Sequence, residues 1–384
     1  MASAPTSYTN IPPRPINLAI IGGGISGLAL LIGLLKHTSP TQVRPHIHEA
    51  NLSFPEIGAG LSFTPNCIQA TKLLEPRLFA AYWDAVLPKP TAAAAAAGTP
   101  PRKPEMYFVT GVEGRDGKFP CFEHIFELNI EKAGGPGLHR KVFLELLTRL
   151  VPGEGEDDVR GQGPYVSFRK KLLAIEELET DAGVDLKFGD GSTVHADAVI
   201  GCDGIKGLTR KIVLERNGEP EAVEPKFSGK FCCRGLILLK DPKAKEEISE
   251  EIRRNNIFQF AYGAHLFAYP VMNGELLNVV ATHKTDDGTW KHGKWVIPAS
   301  RERLEADMDI WGSPGRAILA NMQDPDAWAL FEAQRCNIFY RNGKLCLMGD
   351  SAHATTPHQG AGVSQCIEDA LVLSTLFGII EREV

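Results

Sequence analysis

Residues 16–37 read INLAII-GGGISG-LALLIGLLKH. The apolar run Ile16–Ile21 has the length of a buried strand, and Ile25–His37 carries Leu and Ile on a broad helical face. Between them stands Gly22-x-Gly24-x-x-Gly27. Glycines at that spacing permit a tight turn. They also let backbone N–H groups approach a pyrophosphate at the helix N-terminus, where the dipole favours negative charge. Val43–Glu49 reads as the next strand, with Pro45 pointing to an edge or irregular pairing. Glu49 follows Gly27 by 22 residues, close to the ~20 expected of an acid that binds ribose hydroxyls. A glycine-rich turn without a ligand is the bland alternative. Strand, turn, helix, strand and acid together predict a βαβ start, a parallel sheet and a dinucleotide site containing Gly22, Gly24, Gly27 and Glu49.

Two later stretches repeat the design of a strand ending in an acid. Ala198–Gly201 (AVIG) leads into Cys202-Asp203-Gly204 and on through Lys206-Gly207-Leu208-Thr209-Arg210. Asp-Gly is also a common turn pair that needs no ligand. Leu345–Met348 (LCLM) leads into Gly349-Asp350-Ser-Ala-His353, then Pro357-His-Gln-Gly-Ala-Gly362-Val363 and a helix over 360–380. Asp350 at a strand end is placed to accept from sugar-like hydroxyls, and that helix aims its positive end above the sheet.

Around these motifs the chain divides. Residues 1–15 hold four prolines and read as a disordered tail. Residues 88–104 (PKPTAAAAAAGTPPRKP) are low-complexity and read as a surface insertion. Residues 152–164 form an acidic, glycine-rich loop, and His139–Leu150 between the two is an amphipathic helix. Tyr165–Phe168, Leu172–Glu177, Val184–Phe188 and Thr193–His195 predict a β-meander. From 226 to 340, strand patterns at Lys226–Leu239, Ile257–Ala261, His265–Val271 and Leu276–Thr282 alternate with helical stretches near 243–254, 300–309 and 314–322. That texture predicts a second domain on an antiparallel sheet. The resulting division is 16–80, 135–215 and 341–384 for the first domain, and 81–134 and 216–340 for the second.

Composition narrows the function. The 384 residues carry 41 Lys+Arg against 47 Asp+Glu, a net charge of −6, which argues against nucleic acid as the main partner. No stretch reaches the ~18 consecutive apolar residues of a membrane helix, and MASAPTSYTNIPPRP is not a secretory signal. The eight cysteines form no CxxC. They read as free thiols in a reducing, cytoplasmic compartment, with no spacing that asks for a metal.

The ordered set GxGxxG, Asp-Gly and Gly-Asp resembles the group A flavoprotein aromatic hydroxylases, which have the para-hydroxybenzoate hydroxylase fold. Glu56-Ile-Gly-Ala-Gly60, Leu138-His-Arg140, Arg234-Gly235 and Pro357-His-Gln-Gly-Ala-Gly362 resemble the salicylate hydroxylase branch, which includes fungal monooxygenases of polyketide pathways. The resemblance implies an α/β fold: a Rossmann-like FAD-binding domain with a β-meander, plus an antiparallel-sheet substrate domain. It implies bound FAD, NADH or NADPH as a transient co-substrate, O₂, and hydroxylation of a small phenolic or aromatic substrate through a flavin C4a-hydroperoxide.

By the same resemblance Glu49 binds the adenosine ribose, and Gly22, Gly24 and Gly27 receive the pyrophosphate. Gly60 lies near the flavin, Arg140 reaches the phosphates and flavin side, and Asp203 joins the cofactor residues through the Asp-Gly motif. Asp350 holds the ribityl chain, and Gly362 and Val363 offer N–H groups to the flavin ring. Arg234 lies in the apolar run Phe231-Cys-Cys-Arg-Gly-Leu-Ile, where an arginine is costly unless paired. It meets either a structural carboxylate or an anionic substrate. His265, Phe267 and Tyr269 share one strand face by period two, and the resemblance sets His265 and Tyr269 at the substrate hydroxyl. A packed sheet face is the plain alternative for them, as loop polarity is for His353 and His358.

Two departures stand out. Gly207 replaces a serine usual in relatives, and the chain stops at Val384, where relatives continue with further helices. Epoxidation or dehydrogenation on the same fold, or a non-catalytic FAD-binding remnant, are the rival readings.

Overall fold

The computed structural model describes residues 14–54, 60–86, 106–114, 120–129, 135–153, 164–178 and 183–380. The expected tail up to residue 13, the insertion 88–104 and most of the loop 152–164 lie outside the described residues. Arg14, placed in the tail by the sequence, is instead tied down. Its guanidinium donates to both Asp197 oxygens at 3.0 and 2.6 Å.

The chain opens with β1 (Ile16–Ile21), α1 (Ile25–His37), β2 (Val43–His48), β3 (Gly60–Phe63), α2 (Pro65–Leu74) and α3 (Pro76–Val86). Next come β4 (Met106–Thr110), β5 (His124–Leu128), β6 (Gly135–His139), α4 (Arg140–Thr148), β7 (Val166–Ser167), β8 (Leu172–Glu177), β9 (Val184–Phe188), β10 (Thr193–Ala196), β11 (Ala198–Gly201) and α5 (Leu208–Arg216). A third stretch holds β12 (Lys226–Leu238), α6 (Pro242–Glu247), α7 (Glu250–Arg254), β13 (Asn256–Ala261), β14 (Ala264–Val271), β15 (Leu276–Lys284), β16 (Val296–Pro298), α8 (Arg301–Met308), α9 (Ser313–Ala320) and β17 (Gln323–Glu332). It closes with β18 (Tyr340–Arg341), β19 (Leu345–Leu347), α10 (Asp350–His353) and α11 (Gly362–Ile380).

A six-stranded sheet runs β18-β19-β11-β1-β2-β7, parallel throughout except for β18. Leu28, Leu31 and Leu34 of α1 and Ile367 and Ala370 of α11 bury one face of it. The small sheet β8-β9-β10 covers the other face through Ile175, Leu186 and Phe188 against Ile21 and Val199. The expected meander is therefore three strands. Its supposed first member, near 165–168, pairs in parallel with β2 instead.

Pro45 is tolerated because of where that pairing stops. Ile47 and Glu49 both donate N–H groups toward Tyr165 and Ser167. By period two, position 45 points the same way, beyond the start of β7, so its missing N–H costs no ladder bond. The helix expected from His139 begins at Arg140, because Gly135–His139 is a strand paired with β3. The helix expected over 360–380 begins at Gly362, since Gly360 takes φ +60° and ends a short 3₁₀ turn at Pro357–Gln359.

The second layer is an eight-stranded sheet, β16-β17-β12-β15-β14-β13-β4-β5, antiparallel except where β13 meets β4. Helices α6, α7 and α9 and Trp311 cover its back through Ile248, Ile252, Ile318 and Leu319. Its other face looks toward the six-stranded layer.

By length and composition α11 is apolar enough to cross a membrane. Yet Val363, Cys366, Ile367 and Ala370 are buried with α1 and α2, and Glu368 and Asp369 interrupt it. It packs as the core helix of the first layer. All eight cysteines are free thiols.

Candidate active site

A cavity of about 1000 Å³ opens between the two layers. Of the cofactor and substrate residues expected from the sequence, all but Gly27 line it, and of the two loop histidines His358 does and His353 does not. Gly22 takes φ +106°, and a Cβ there would stand 2.5 Å from the Cys202 carbonyl oxygen. Gly24 has nothing within 4 Å of its Cβ position, so the turn stays open toward the cavity. Gly27 lies off the cavity. A Cβ there would come within 2.0 Å of the Gly22 carbonyl oxygen, so this glycine seats α1 on the turn.

Glu49 is buried and already organises the loop. Its Oε2 accepts from the Gly23 N–H at 2.7 Å, and its Oε1 accepts from the Asn51 N–H at 2.8 Å and Nδ2 at 2.7 Å. A carboxylate offers about four acceptor positions, so capacity for a hydroxyl remains. Arg140 opens α4 after His139, whose Nδ1 accepts the Lys141 N–H. Burial lowers the Arg140 pKa against the pull of Asp350. Asp350 is open to the cavity but enclosed by its walls. That enclosure raises its pKa, while His353 and Arg140 hold it down.

Asp369 was not found from the sequence. It accepts from the Gly349 N–H at 2.9 Å and pairs with His353 Nε2 at 2.7 Å. The His353 pKa is raised, first by that bond. Sixteen residues separate the two in sequence, and no motif links them.

The Asp203 carboxylate lines the cavity but is turned to α5. It accepts from the Thr209 N–H at 3.0 Å, from the Thr209 hydroxyl and from the Ser351 hydroxyl at 3.1 Å. A Cβ at Gly207 would stand 2.1 Å from Asp203 Oδ1. The glycine at this departure from the family pattern thus leaves room for the carboxylate. Arg210, one turn on, is fully buried and donates to the carbonyls of Ser351, Ala352, Ala222 and Gln334 at 2.9–3.0 Å. Lys206, on the same loop, sets its ammonium 3.5 Å over the Trp295 ring of the other layer.

On the eight-stranded sheet, Cys232 and Arg234 of β12 face the cavity, as do His265, Phe267 and Tyr269 of β14, Val280 and Thr282 of β15 and Trp328 of β17. The period-two reading of β14 matches this face. Arg234 Cζ lies 5.2 Å over the Trp328 ring. The guanidinium makes no ion pair or hydrogen bond among the described residues, so the structural-carboxylate alternative has no partner there. Tyr269 is buried, with a pKa pushed up to about 12. Its hydroxyl is only 1.4 Å from the position a Gly60 Cβ would take, and its ring is 2.8 Å from the corresponding Gly137 position. The ring is wedged on a glycine ribbon of β3 and β6, a contact the sequence did not reveal. His265 is half-buried, and burial followed by the charges of His358 and Lys230 lowers its pKa to about 4. The His358 ring meets it at 5.0 Å, edge to face. Lys230 Nζ stands 3.2 Å from His358 Nε2. Period two from Cys232 and Arg234 was the signal available for Lys230.

The glycine turn open to the cavity, the acids at both strand ends and the N-terminus of α11 at Gly362 and Val363 suit a long, phosphate-bearing cofactor. Comparison with known proteins agrees. The FAD binding domain family matches residues 315–383. The FAD-dependent monooxygenase pigN of Monascus ruber is 36% identical over 364 residues, covering 94% of this chain and 76% of that protein. The salicylate hydroxylase of Pseudomonas putida is 33% identical over 376 residues, covering 96% of this chain and 78% of that protein. A solved salicylate hydroxylase substrate complex superposes with a TM-score of 0.75 at 27% identity, covering 95% of this chain and 80% of that one.

Proposed function

Because the chain belongs to the salicylate hydroxylase-like FAD-dependent monooxygenases, we propose that it hydroxylates an anionic phenolic or aromatic substrate with NADH or NADPH and O₂, in the reducing cytoplasm where free thiols persist. Arg234 carries this reading. It is a guanidinium without an anionic partner among the described residues, stacked on Trp328 in a cavity wall that also presents Phe267, Val280 and Cys232. A planar aromatic anion satisfies both the charge and the apolar wall.

FAD, when bound, accepts hydride from the nicotinamide and activates O₂. Every other role falls to the chain. The six-stranded layer holds the cofactor: Gly22 and Gly24 leave room for phosphate, Glu49 and Asp350 accept from hydroxyls at opposite ends, and Arg140 offers a cation between them. Asp203 acts through α5 and Ser351 rather than by direct contact. The N–H groups at Gly362 and Val363 favour negative charge beside the ring system. The eight-stranded layer holds the substrate. Arg234 favours its ionised form, neutral His265 offers a hydrogen bond, and Phe267 and Tyr269 exclude water.

The test is direct. Purified protein is loaded with FAD, and NADH and NADPH oxidation is followed with a panel of phenolic acids including salicylate. Stimulated oxidation with a product heavier by one oxygen is expected, with no stoichiometric NAD(P) carried through purification. Flavin-loaded protein whose oxidase rate no phenol changes would sink the reading. Asp350→Ala should purify with less flavin.

A further inference from the structure

Of the histidines that line the cavity, His265 and His358 stand together on its substrate side, and the structure treats their nitrogens differently. His358 sits in the 3₁₀ turn Pro357–Gln359 of the flavin-side loop. Its Nε2 lies 3.2 Å from Lys230 Nζ. An ammonium only donates, so Nε2 accepts and the remaining proton of a neutral ring resides on Nδ1. That Nδ1 is buried and has no hydrogen-bond partner among the described residues. Both nitrogens of His358 are therefore closed to a ligand. His265 is the opposite case: it lines the cavity, and among the described residues neither of its nitrogens is engaged or sealed off. The two rings touch edge to face at 5.0 Å, with planes 79° apart.

We propose that Lys230 is a positioning residue for the reaction: by donating to Nε2 it fixes His358 as the neutral Nδ1–H tautomer, and His358 in turn holds His265 as the neutral imidazole that the substrate meets. This deepens the hydroxylase reading and rests on it for the word substrate, although the tautomer assignment does not. The charged and titratable groups facing the pair are Lys230 from β12 and Glu332 from β17. Lys230 disfavours protonation of both rings, Glu332 favours it for His358, and burial disfavours it for each. A cation beside two imidazoles keeps both uncharged at neutral pH. His265 can then donate one hydrogen bond and accept another from the ligand, which an imidazolium cannot do. Lys230 does not line the cavity, so it reaches the substrate only through the two rings: by its hydrogen bond to His358 and by its charge on both.

FAD-loaded protein labelled with ¹⁵N at histidine gives the test. Long-range ¹H–¹⁵N spectra distinguish the two tautomers without turnover. In the wild type, His358 is expected as the Nδ1–H form across neutrality. In Lys230→Met, that preference is lost and the His358 midpoint rises by about one pH unit or more, with His265 following in the same direction. Lys230→Arg restores the wild-type spectrum. With salicylate as probe, the acid limb of the binding profile moves up in Lys230→Met and returns in Lys230→Arg. An Nε2–H signal for His358 in the wild type overturns the proposal, as do midpoints unmoved in Lys230→Met. If Lys230→Met does not fold, the wild-type tautomer and Lys230→Arg still decide. Failure of the hydroxylase reading is separate, because it shows as no phenol-stimulated oxidation while these spectra stand.

Discussion

Arg234 and the Tyr269–Gly60 contact set the chemistry at the scale of single side chains. Replacing Arg234 by Gln removes a charge-assisted hydrogen bond to the substrate. Such bonds are worth about 1.5–3 kcal/mol, so kcat/KM should fall about 10- to 150-fold with flavin content unchanged. Unaltered turnover would show that the guanidinium serves only its stack on Trp328. Gly60→Ala drives a methyl into the Tyr269 hydroxyl and should cost about 1–3 kcal/mol of stability, read by urea unfolding. Tyr269→Ala creates its own cavity, but the double variant should recover by at least about 0.5 kcal/mol relative to additivity. Strict additivity would mean that the ring moves aside freely. Arg234 was readable beforehand because a guanidinium in an apolar strand demands an explanation. The wedge of Tyr269 on Gly60 was not, since residues 209 positions apart in the chain met only through the pairing of two layers.

Elements are joined at the Gly-Asp loop by one carboxylate. Asp369 of α11 holds the backbone of Gly349 and the ring of His353 in α10. The His353 pKa is raised above the ordinary imidazole value of 6.5 in the folded protein. Its contribution is therefore fully present below that value and lost as pH rises through the higher folded value. Thermal stability and FAD retention should decline over that alkaline window in the wild type. Asp369→Asn should flatten the dependence, and an identical pH profile in the variant would remove the dyad from consideration. The βαβ start, the meander and both later strand–acid motifs were legible because local spacing determines them. Less visible were β3, β6, β16 and β17, which are short or carry Gly, Pro and Asp. Their pairing is decided by the neighbour they meet rather than by their own pattern. The Asp-Gly motif was legible as a motif, but the engagement of its carboxylate with α5 was not, because the cap partner Thr209 reads as an ordinary helix residue.

Across the whole molecule, Arg210 links α5, the segment at Ala222, the chain after β17 at Gln334 and the Gly-Asp loop through four carbonyl oxygens. Arg210→Met leaves those carbonyl acceptors buried and unpaired, at a cost of about 1–3 kcal/mol for each that stays unsatisfied. A large drop in the denaturation midpoint and poor flavin loading are expected, with Arg210→Lys recovering only part because a lysine cannot span the same fork. A midpoint unchanged by Arg210→Met would mean that the segments hold together without it. The same long reach governs the central sheet. Leu18 of β1 pairs with Ala198 of β11, and β11 pairs in turn with Leu345 of β19. A ribosome adding about 5–20 residues per second delivers β11 about 10–40 s after β1. During that interval the apolar strand Ile16–Ile21 has a partner in β2 on one edge and none on the other. The nascent chain thus exposes an open β edge before its sheet can close, which predicts slow, chaperone-dependent maturation and aggregation of prematurely released chains.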